Sequence, residues 1–157
     1  MAAISAGILL FRTAGEALEV LLVHPGGPYW AKKDLGAWSI PKGLVEGDEE
    51  PLTCALRELE EELGSPFAFA AEALIELGSV RQKAGKLVHC WAAEADFDPA
   101  ALRSNTFTME WPPRSGSMKE FPEVDRAGWF ALPEPKVKIL KGQRPVLSDL
   151  ARQKDAE

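Results

Sequence analysis

The sequence predicts a mixed-sheet sandwich of the α/β or α+β class, built as a single domain over residues 1–157. Strand-like segments lie both before and after one strongly patterned helix, and a second helical pattern ends the chain. No repeat or long linker divides the chain. Apolar residues make up 46% of it, which is ordinary globular usage, so a core can form without disulfides.

The strand segments are recognised by apolar, β-prone runs bounded by turn residues. They are residues 4–12, 17–24, 37–40, 73–82, 86–95 and 127–132. The turn between the fourth and fifth is expected at Ala84 and Gly85. Residues 96–116, interrupted by Pro112 and Pro113, show no regular pattern. Helical patterns follow over 133–141 and from Pro145 onward.

The clearest helix is predicted over residues 51–63. Pro51 suits a first helical turn, and Gly64 suits the position just after the last turn. One stripe of this helix is apolar and fits a core. It consists of Leu52, Ala55, Leu56, Leu59 and Leu63.

The net charge of −6 is concentrated around this helix. Residues 48–62 hold seven acidic side chains and one base, Arg57, whereas the rest of the chain balances 17 acids with 17 bases. Glu58, Glu61 and Glu62 share one helix face at i, i+3 and i+4, where like charges repel by about 0.2–0.5 kcal/mol per pair. Two interpretations fit this face: a site for a hard divalent cation, or a solvated acidic surface.

A motif that starts before the helix favours the first interpretation. Residues 43–65 resemble the signature of the Nudix hydrolase family, G-x5-E-x7-R-E-U-x-E-E-x-G-U with U apolar. The matching positions are Gly43, Glu49, Arg57, Glu58, Leu59, Glu61, Glu62 and Gly64. Ser65 departs from the aliphatic residue at the end of the motif, a position that concerns packing and not a ligand.

The resemblance implies a Nudix-type α/β/α sandwich with a mixed β-sheet and a catalytic loop-helix. It implies that Glu58, Glu61 and Glu62 bind Mg²⁺, with Mn²⁺ as the alternative, and that the backbone carbonyl of Lys42 completes the coordination. Arg57 would orient the first glutamate, and Glu49 would support the loop.

Further site residues are expected outside the motif. Lys42 and Lys86 are candidates for binding substrate phosphates, ahead of the weaker candidates Lys83, Arg81, Lys32, Lys33 and Arg114. Residues 38–43 and 86–91 look similar to segments of the diadenosine tetraphosphate hydrolases of this family. In that group a loop glutamate binds metal or activates water, a position that Glu123 fits better than Glu120. Glu61 and Glu62 are alternative candidates for the general base. The alternative interpretation of Glu123 is an exposed loop acid.

The implied reaction is hydrolysis of a pyrophosphate bond in a nucleoside diphosphate derivative. Dinucleoside polyphosphates and nucleoside triphosphates are the expected substrates. A Nudix-fold module that senses a nucleotide without cleaving it is the alternative. A calcium-binding protein is less consistent with the sequence, because it has no D-x-[DN]-x-[DN]-G loop. The sequence also lacks the GxxxxGK[ST] motif of a P-loop nucleotidase.

The remaining expectations concern partners and location. No basic block suggests duplex nucleic acid as a partner, and no apolar run suggests a membrane span. Cys54 and Cys90 have no metal-ligand or disulfide spacing, and the first residues lack a basic leader, so a cytoplasmic protein with reduced thiols is expected. A monomer and a homodimer are both compatible with the sequence. Trp30 and Trp111 are candidates for stacking on a nucleotide base. The alternative is that both have a purely structural role.

Overall fold

A computed structural model describes residues 4–82, 85–132 and 134–155. The strands are β1 (Ile4–Ala14), β2 (Ala17–Pro25), β3 (Lys42–Leu44), β4 (Ile75–Arg81), β5 (Leu87–Glu94), β6 (Thr106–Glu110), β7 (Met118–Pro122) and β8 (Val124–Ala131). The α-helices are α1 (Pro51–Leu63), α2 (Pro135–Lys138) and α3 (Arg144–Asp155). Short 3-10 turns lie at Ala71–Ala73, Pro99–Ala101 and Lys141–Gln143.

The main sheet has the strand order β4-β5-β1-β2-β8, with β3 placed beside β1. Strands β1 and β5 run parallel, whereas the other pairs of this sheet are antiparallel. The predicted mixed sheet is therefore confirmed. Strands β6 and β7 form a separate two-stranded hairpin.

Strand β1 pairs with two different strands along one of its edges. Its start pairs with β3 and its end pairs with β2, so the segment just before β3 enters the space between them. Gly7 permits this close approach, because a Cβ at that position would lie 2.5 Å from the carbonyl oxygen of Pro41. The Ile8 N–H donates to the same oxygen at 3.1 Å. The sheet thus holds the chain in place immediately before Lys42.

Each face of the sheet is covered by a helix. Helix α1 buries Leu59 and Leu63 on one face, and α3 buries Leu147 and Leu150 on the other. A fully buried leucine contributes about 1.5–3 kcal/mol relative to exposure, so each helix is fixed mainly by its apolar stripe. This arrangement confirms the sandwich, and α1 has the bounds predicted from the sequence.

The structure corrects two predicted segments. Residues 37–40 make only isolated bridges, Val23 with Ser39 and Trp38 with Ile139, and the strand forms after Pro41. Residues 96–116 are more regular than predicted, because the two prolines lie in the turn of the β6–β7 hairpin and leave its alternating strands intact. Ala84 and Pro133, at predicted element ends, are outside the described residues.

Within the described ranges, no helix is both long and apolar enough to span a membrane.

Candidate functional site

The loop before α1 is fastened to that helix by a two-point ion pair. Arg57 donates through Nε to Glu49 Oε2 at 2.8 Å and through Nη2 to Glu49 Oε1 at 2.9 Å. Glu49 Oε1 also accepts the Glu46 N–H at 3.2 Å, which closes the loop. The Arg57 hydrogen bonds lower the pKa of Glu49 to about 2. Glu49 therefore stays ionised and holds the loop against α1.

Arg57 also binds the acidic face of its own helix. Its Nη1 donates to Glu58 Oε1 at 2.9 Å and to both carboxylate oxygens of Glu61 at 3.3 Å. One guanidinium therefore donates to the carboxylates of Glu49, Glu58 and Glu61. Its charge offsets part of the repulsion between the last two, which lie on the same helix face. The structure places Arg57 against Glu58, as the orienting role requires.

Glu58 lies directly against Gly43. A Cβ at position 43 would be 2.0 Å from the Glu58 carboxyl carbon, so any larger residue there would displace this carboxylate. Partial burial raises the pKa of Glu58, and the charge of Glu61 raises it further. The glycine of the motif thus makes room for an acid.

Glu62 is the buried member of the acidic face. It is 7% exposed, and its Oε2 accepts the Lys42 N–H at 3.0 Å. Burial raises the pKa of Glu62 to about 8, with a further contribution from the charge of Glu58. Burial also lowers the pKa of the Lys42 ammonium, although the charge of Glu62 opposes that shift. The Glu62 carboxyl group is therefore poorly hydrated and is linked to residue 42 through the backbone N–H.

Glu123 reaches this site from the junction of β7 and β8, at the edge of the sheet. Its carbonyl oxygen accepts the Gly26 N–H at 2.9 Å, and its N–H donates to the Asn105 carbonyl at 2.8 Å. The Asn105 N–H in turn donates to the Glu61 carbonyl at 3.2 Å. The single residue between β7 and β8 is thus fixed by backbone contacts to β2 and to the end of α1.

Three neighbouring cavities lie in this region, and the first two border the acidic face. The first, about 500 Å³, is lined by Lys42, Gly43, Leu44, Glu46, Arg57, Glu58, Glu61 and Glu123. The second is an apolar pocket of about 210 Å³ that shares Lys42 and Glu123 with the first and adds Glu62 and Trp30. The third, about 730 Å³, shares Trp30 with the second. The acids predicted from sequence therefore border the first two cavities.

The third cavity has a more basic lining. Arg81 and Lys141 contribute to its wall together with Gln82, Gly142 and Trp30. Of these, sequence reasoning had singled out Arg81 and Trp30 but not the other three residues. Gln82 and Lys141 carry no local motif, and they meet only because the end of β4 packs beside the turn before α3.

The other predicted residues divide into near and remote ones. Lys86 is exposed, and its charge helps lower the pKa of Lys42. Glu120 is exposed on β7 and lines none of the three cavities. Trp111 packs against Tyr29 with ring centroids 5.3 Å apart, also away from the three cavities. Lys83 is outside the described residues.

The donor set of the acidic face fits a hard divalent cation, although the side chains are not arranged around one point. In the described part of the chain, no three acidic, histidine or cysteine side chains converge to hold a metal ion. Glu58 and Glu61 turn to Arg57, and Glu62 turns to the Lys42 N–H. Clustered carboxylates are nevertheless the ligands that Mg²⁺ and Mn²⁺ prefer.

Comparison with known proteins gives a family match over most of the chain. The model of the NUDIX domain family matches residues 1–150. A curated RNA pyrophosphohydrolase from Acidiphilium cryptum (strain JF-5) is 36% identical over 64 residues. That match spans 38% of this chain and only 33% of the relative.

Solved structures show the same fold at low sequence identity. The binary complex of a Caenorhabditis elegans Ap4A hydrolase has a TM-score of 0.67 at 19% identity, covering 98% of this chain and 99% of that one. The NUDIX domain of Shewanella oneidensis NrtR, complexed with ADP ribose, has a TM-score of 0.62 at 18% identity. Its match covers 98% of this chain and 88% of that one.

Proposed function

The chain belongs to the Nudix hydrolase family, and on that premise we propose that it hydrolyses a pyrophosphate bond in a nucleoside diphosphate derivative. One observation carries the proposal: buried Glu62, which accepts the Lys42 N–H, and the half-buried Lys42 border the same cavity system as Glu58, Glu61 and Glu123. Acids for a metal ion and ammonium groups for phosphates thus occur together. We propose that residues 1–157 act as one Nudix domain.

The reaction is proposed to need Mg²⁺, with Mn²⁺ as a substitute. Glu58, Glu61, Glu62, the Lys42 carbonyl and Glu123 would hold the metal, all of them oxygen donors. When bound, the metal would neutralise phosphate oxygens and make a water more acidic. The raised pKa values of Glu58 and Glu62 support this assignment, because burial, their main cause, disfavours the ionised carboxylates and a bound cation would stabilise them.

The chain's own residues supply the remaining parts. Arg57 orients Glu58 and Glu61, and the ammonium groups of Lys42 and Lys86 attract the phosphate chain. A carboxylate accepts the proton of the attacking water, for which Glu61, Glu62 and Glu123 are the candidates. Trp30, between the second and third cavities, offers a surface on which a base can stack.

The proposed substrates are dinucleoside polyphosphates or nucleoside triphosphates. The third cavity supports this choice, because its roughly 730 Å³ is the size of pockets that take drug-sized ligands and its lining contains Arg81 and Lys141. The names of the similar proteins add RNA and ADP ribose as alternative substrates to test. The free, buried thiols of Cys54 and Cys90 support a cytoplasmic location.

Product analysis with a substrate panel tests the proposal. Purified protein is incubated with Mg²⁺ or Mn²⁺ and diadenosine tetraphosphate, nucleoside triphosphates, ADP ribose or triphosphorylated RNA, and the products are separated by chromatography. Glu61→Gln should lower turnover by orders of magnitude. Glu60→Gln is the matched control, because Glu60 is exposed and its carboxylate contacts only the Phe67 N–H, at 3.4 Å.

The outcomes separate the possibilities. Cleavage of diadenosine tetraphosphate to ATP and AMP would support the whole proposal, and preference for another substrate would retain the chemistry alone. Binding of a nucleotide without cleavage would indicate a sensing module. Equal activity of the Glu61→Gln and Glu60→Gln variants would refute the metal-ligand assignment.

The phosphate role of Lys86 has its own test. Lys86→Ala should raise KM more than it lowers kcat, because the exposed ammonium attracts the phosphate chain and is not among the groups proposed to hold the metal. Steady-state kinetics measure the effect. Unchanged KM and kcat would remove Lys86 from the site.

A further inference from the structure

Gln143 is a buried polar residue that the proposed chemistry does not use. Its side chain is fully enclosed in the apolar layer under α3. The amide is nevertheless fully engaged: Oε1 accepts the Ile40 N–H at 3.0 Å, and Nε2 donates to Ser39 Oγ at 3.1 Å and to Gln82 Oε1 at 3.4 Å. A buried amide with three hydrogen-bond partners fixes the relative positions of the groups that it joins.

The contact with Ile40 replaces a missing strand partner. Residues 37–40 make only isolated bridges, and Ile40 is fully buried, so its N–H would have no partner without Gln143. The neighbouring Leu140 N–H donates to the Trp38 carbonyl at 2.7 Å. The turn before α3 therefore takes the role of a strand beside residues 38–40.

The segment held in this way leads directly into the proposed site. Pro41 follows Ile40 and is bonded to Ile8, and Lys42 follows with its N–H on the Glu62 carboxylate. The position of the Lys42 carbonyl and ammonium thus depends on two anchors. One is formed by β1, through Ile8, and by α1, through Glu62 of the motif, and the other is Gln143.

The amide nitrogen of Gln143 contacts a residue that lines the third cavity, Gln82. Gln82 follows the end of β4, lines that cavity, and donates its N–H to the Lys86 carbonyl at 2.7 Å. Gln143 therefore bridges the wall of the cavity proposed for the nucleoside and the segment that carries Lys42. About 100 residues of sequence separate it from Ile40.

We propose that Gln143 is a positioning residue that fixes residues 39–42, and with them the Lys42 carbonyl, relative to Glu62 and the third cavity. This inference rests on the proposed function, because it assigns Gln143 a role only through the metal and phosphate site. It predicts that the amide matters for cation binding even when no nucleotide is present.

The test measures Mn²⁺ binding by electron paramagnetic resonance, together with the thermal midpoint and kcat/KM. Gln143→Met keeps the length of the side chain and removes the amide. We expect Mn²⁺ affinity and kcat/KM to fall by about 10–100-fold, the range found when supporting partners of metal ligands are removed. Leu150→Val is the matched control, because it weakens the same buried layer through an apolar side chain and leaves the hydrogen bonds of residues 39–42 in place.

A conservative variant separates positioning from simple loss of stability. Gln143→Glu keeps an oxygen for the Ile40 N–H, so its Mn²⁺ affinity should stay within about threefold of the wild type while its thermal midpoint falls. Equal weakening in the Glu and Met variants would overturn the proposal. Mn²⁺ affinity within about twofold of the wild type in Gln143→Met would overturn it as well.

Two further outcomes are covered. If Gln143→Met does not fold, Gln143→Asn decides, because it keeps a polar amide but shortens the side chain so that its oxygen no longer reaches the Ile40 N–H. It should weaken Mn²⁺ binding by at least about threefold, and unchanged binding refutes the proposal. If the wild type neither binds Mn²⁺ nor cleaves any substrate, the proposed function itself is refuted. Wild-type binding with an unaffected Gln143→Met variant refutes only the role of Gln143.

Discussion

Replacing Glu62 by glutamine should stabilise the metal-free protein at alkaline pH while abolishing activity. The Glu62 carboxyl is 7% exposed, and its pKa is raised from 4.5 to about 8. An acid whose pKa is raised by folding favours the protonated form in the native state. The folded protein therefore incurs no penalty below pH 4.5 and an increasing one as the pH rises toward 8.

The size of the effect follows from the shift. At about 1.4 kcal/mol per pKa unit, the penalty approaches roughly 4 kcal/mol near pH 8. Glutamine carries no charge at any of these pH values, and its amide oxygen can still accept the Lys42 N–H. We expect Glu62→Gln to be more stable than the wild type by about 2–4 kcal/mol at pH 8 in EDTA, or roughly 5–15 °C in thermal midpoint.

Thermal unfolding from pH 5 to pH 8 in EDTA measures this difference. The advantage of Glu62→Gln should vanish near pH 5 and shrink when Mg²⁺ is added at pH 8, because the cation stabilises only the ionised wild type. Glu60→Gln serves as the control, since its carboxylate is exposed. A Glu62→Gln variant no more stable than the wild type at pH 8 would refute the conclusion that burial raises the pKa of Glu62 and destabilises its ionised form.

Three further substitutions probe the surroundings of the site. Arg57→Lys keeps the charge but loses the two-point contact with Glu49, so kcat should fall at least about tenfold, and a wild-type kcat would contradict the orienting role. Gly43→Ala places a Cβ within 2.0 Å of the Glu58 carboxyl carbon, so steady-state kinetics should show activity close to the blank. Leu59→Ala should lower the free energy of unfolding by about 2–5 kcal/mol in denaturant titrations, and the folded fraction should retain its kcat.

Much of the site is local in sequence and therefore predictable. The bounds of α1 follow from Pro51 and Gly64, and the gathering of Glu58, Glu61 and Glu62 follows from the period of a helix. The contact of Arg57 with Glu61, at i and i+4, needs only that same period. These features depend on residues within one or two turns of each other, so no knowledge of the whole fold is required.

Other features were decided by the tertiary structure. The burial of Glu62 depends on how the chain before β3 enters beside β1, and Glu123 reaches the acids only because the strands on both sides of it are placed by the sheet and the hairpin. The hairpin over 106–122 was obscured in the sequence by its two prolines. No local pattern distinguishes Gln143 from any other glutamine, because its partners lie about 60 and 100 residues away. The sequence by itself determined which carboxylates share a helix face, whereas packing of distant segments determined which of them lost water and which side chains hold the chain beside them.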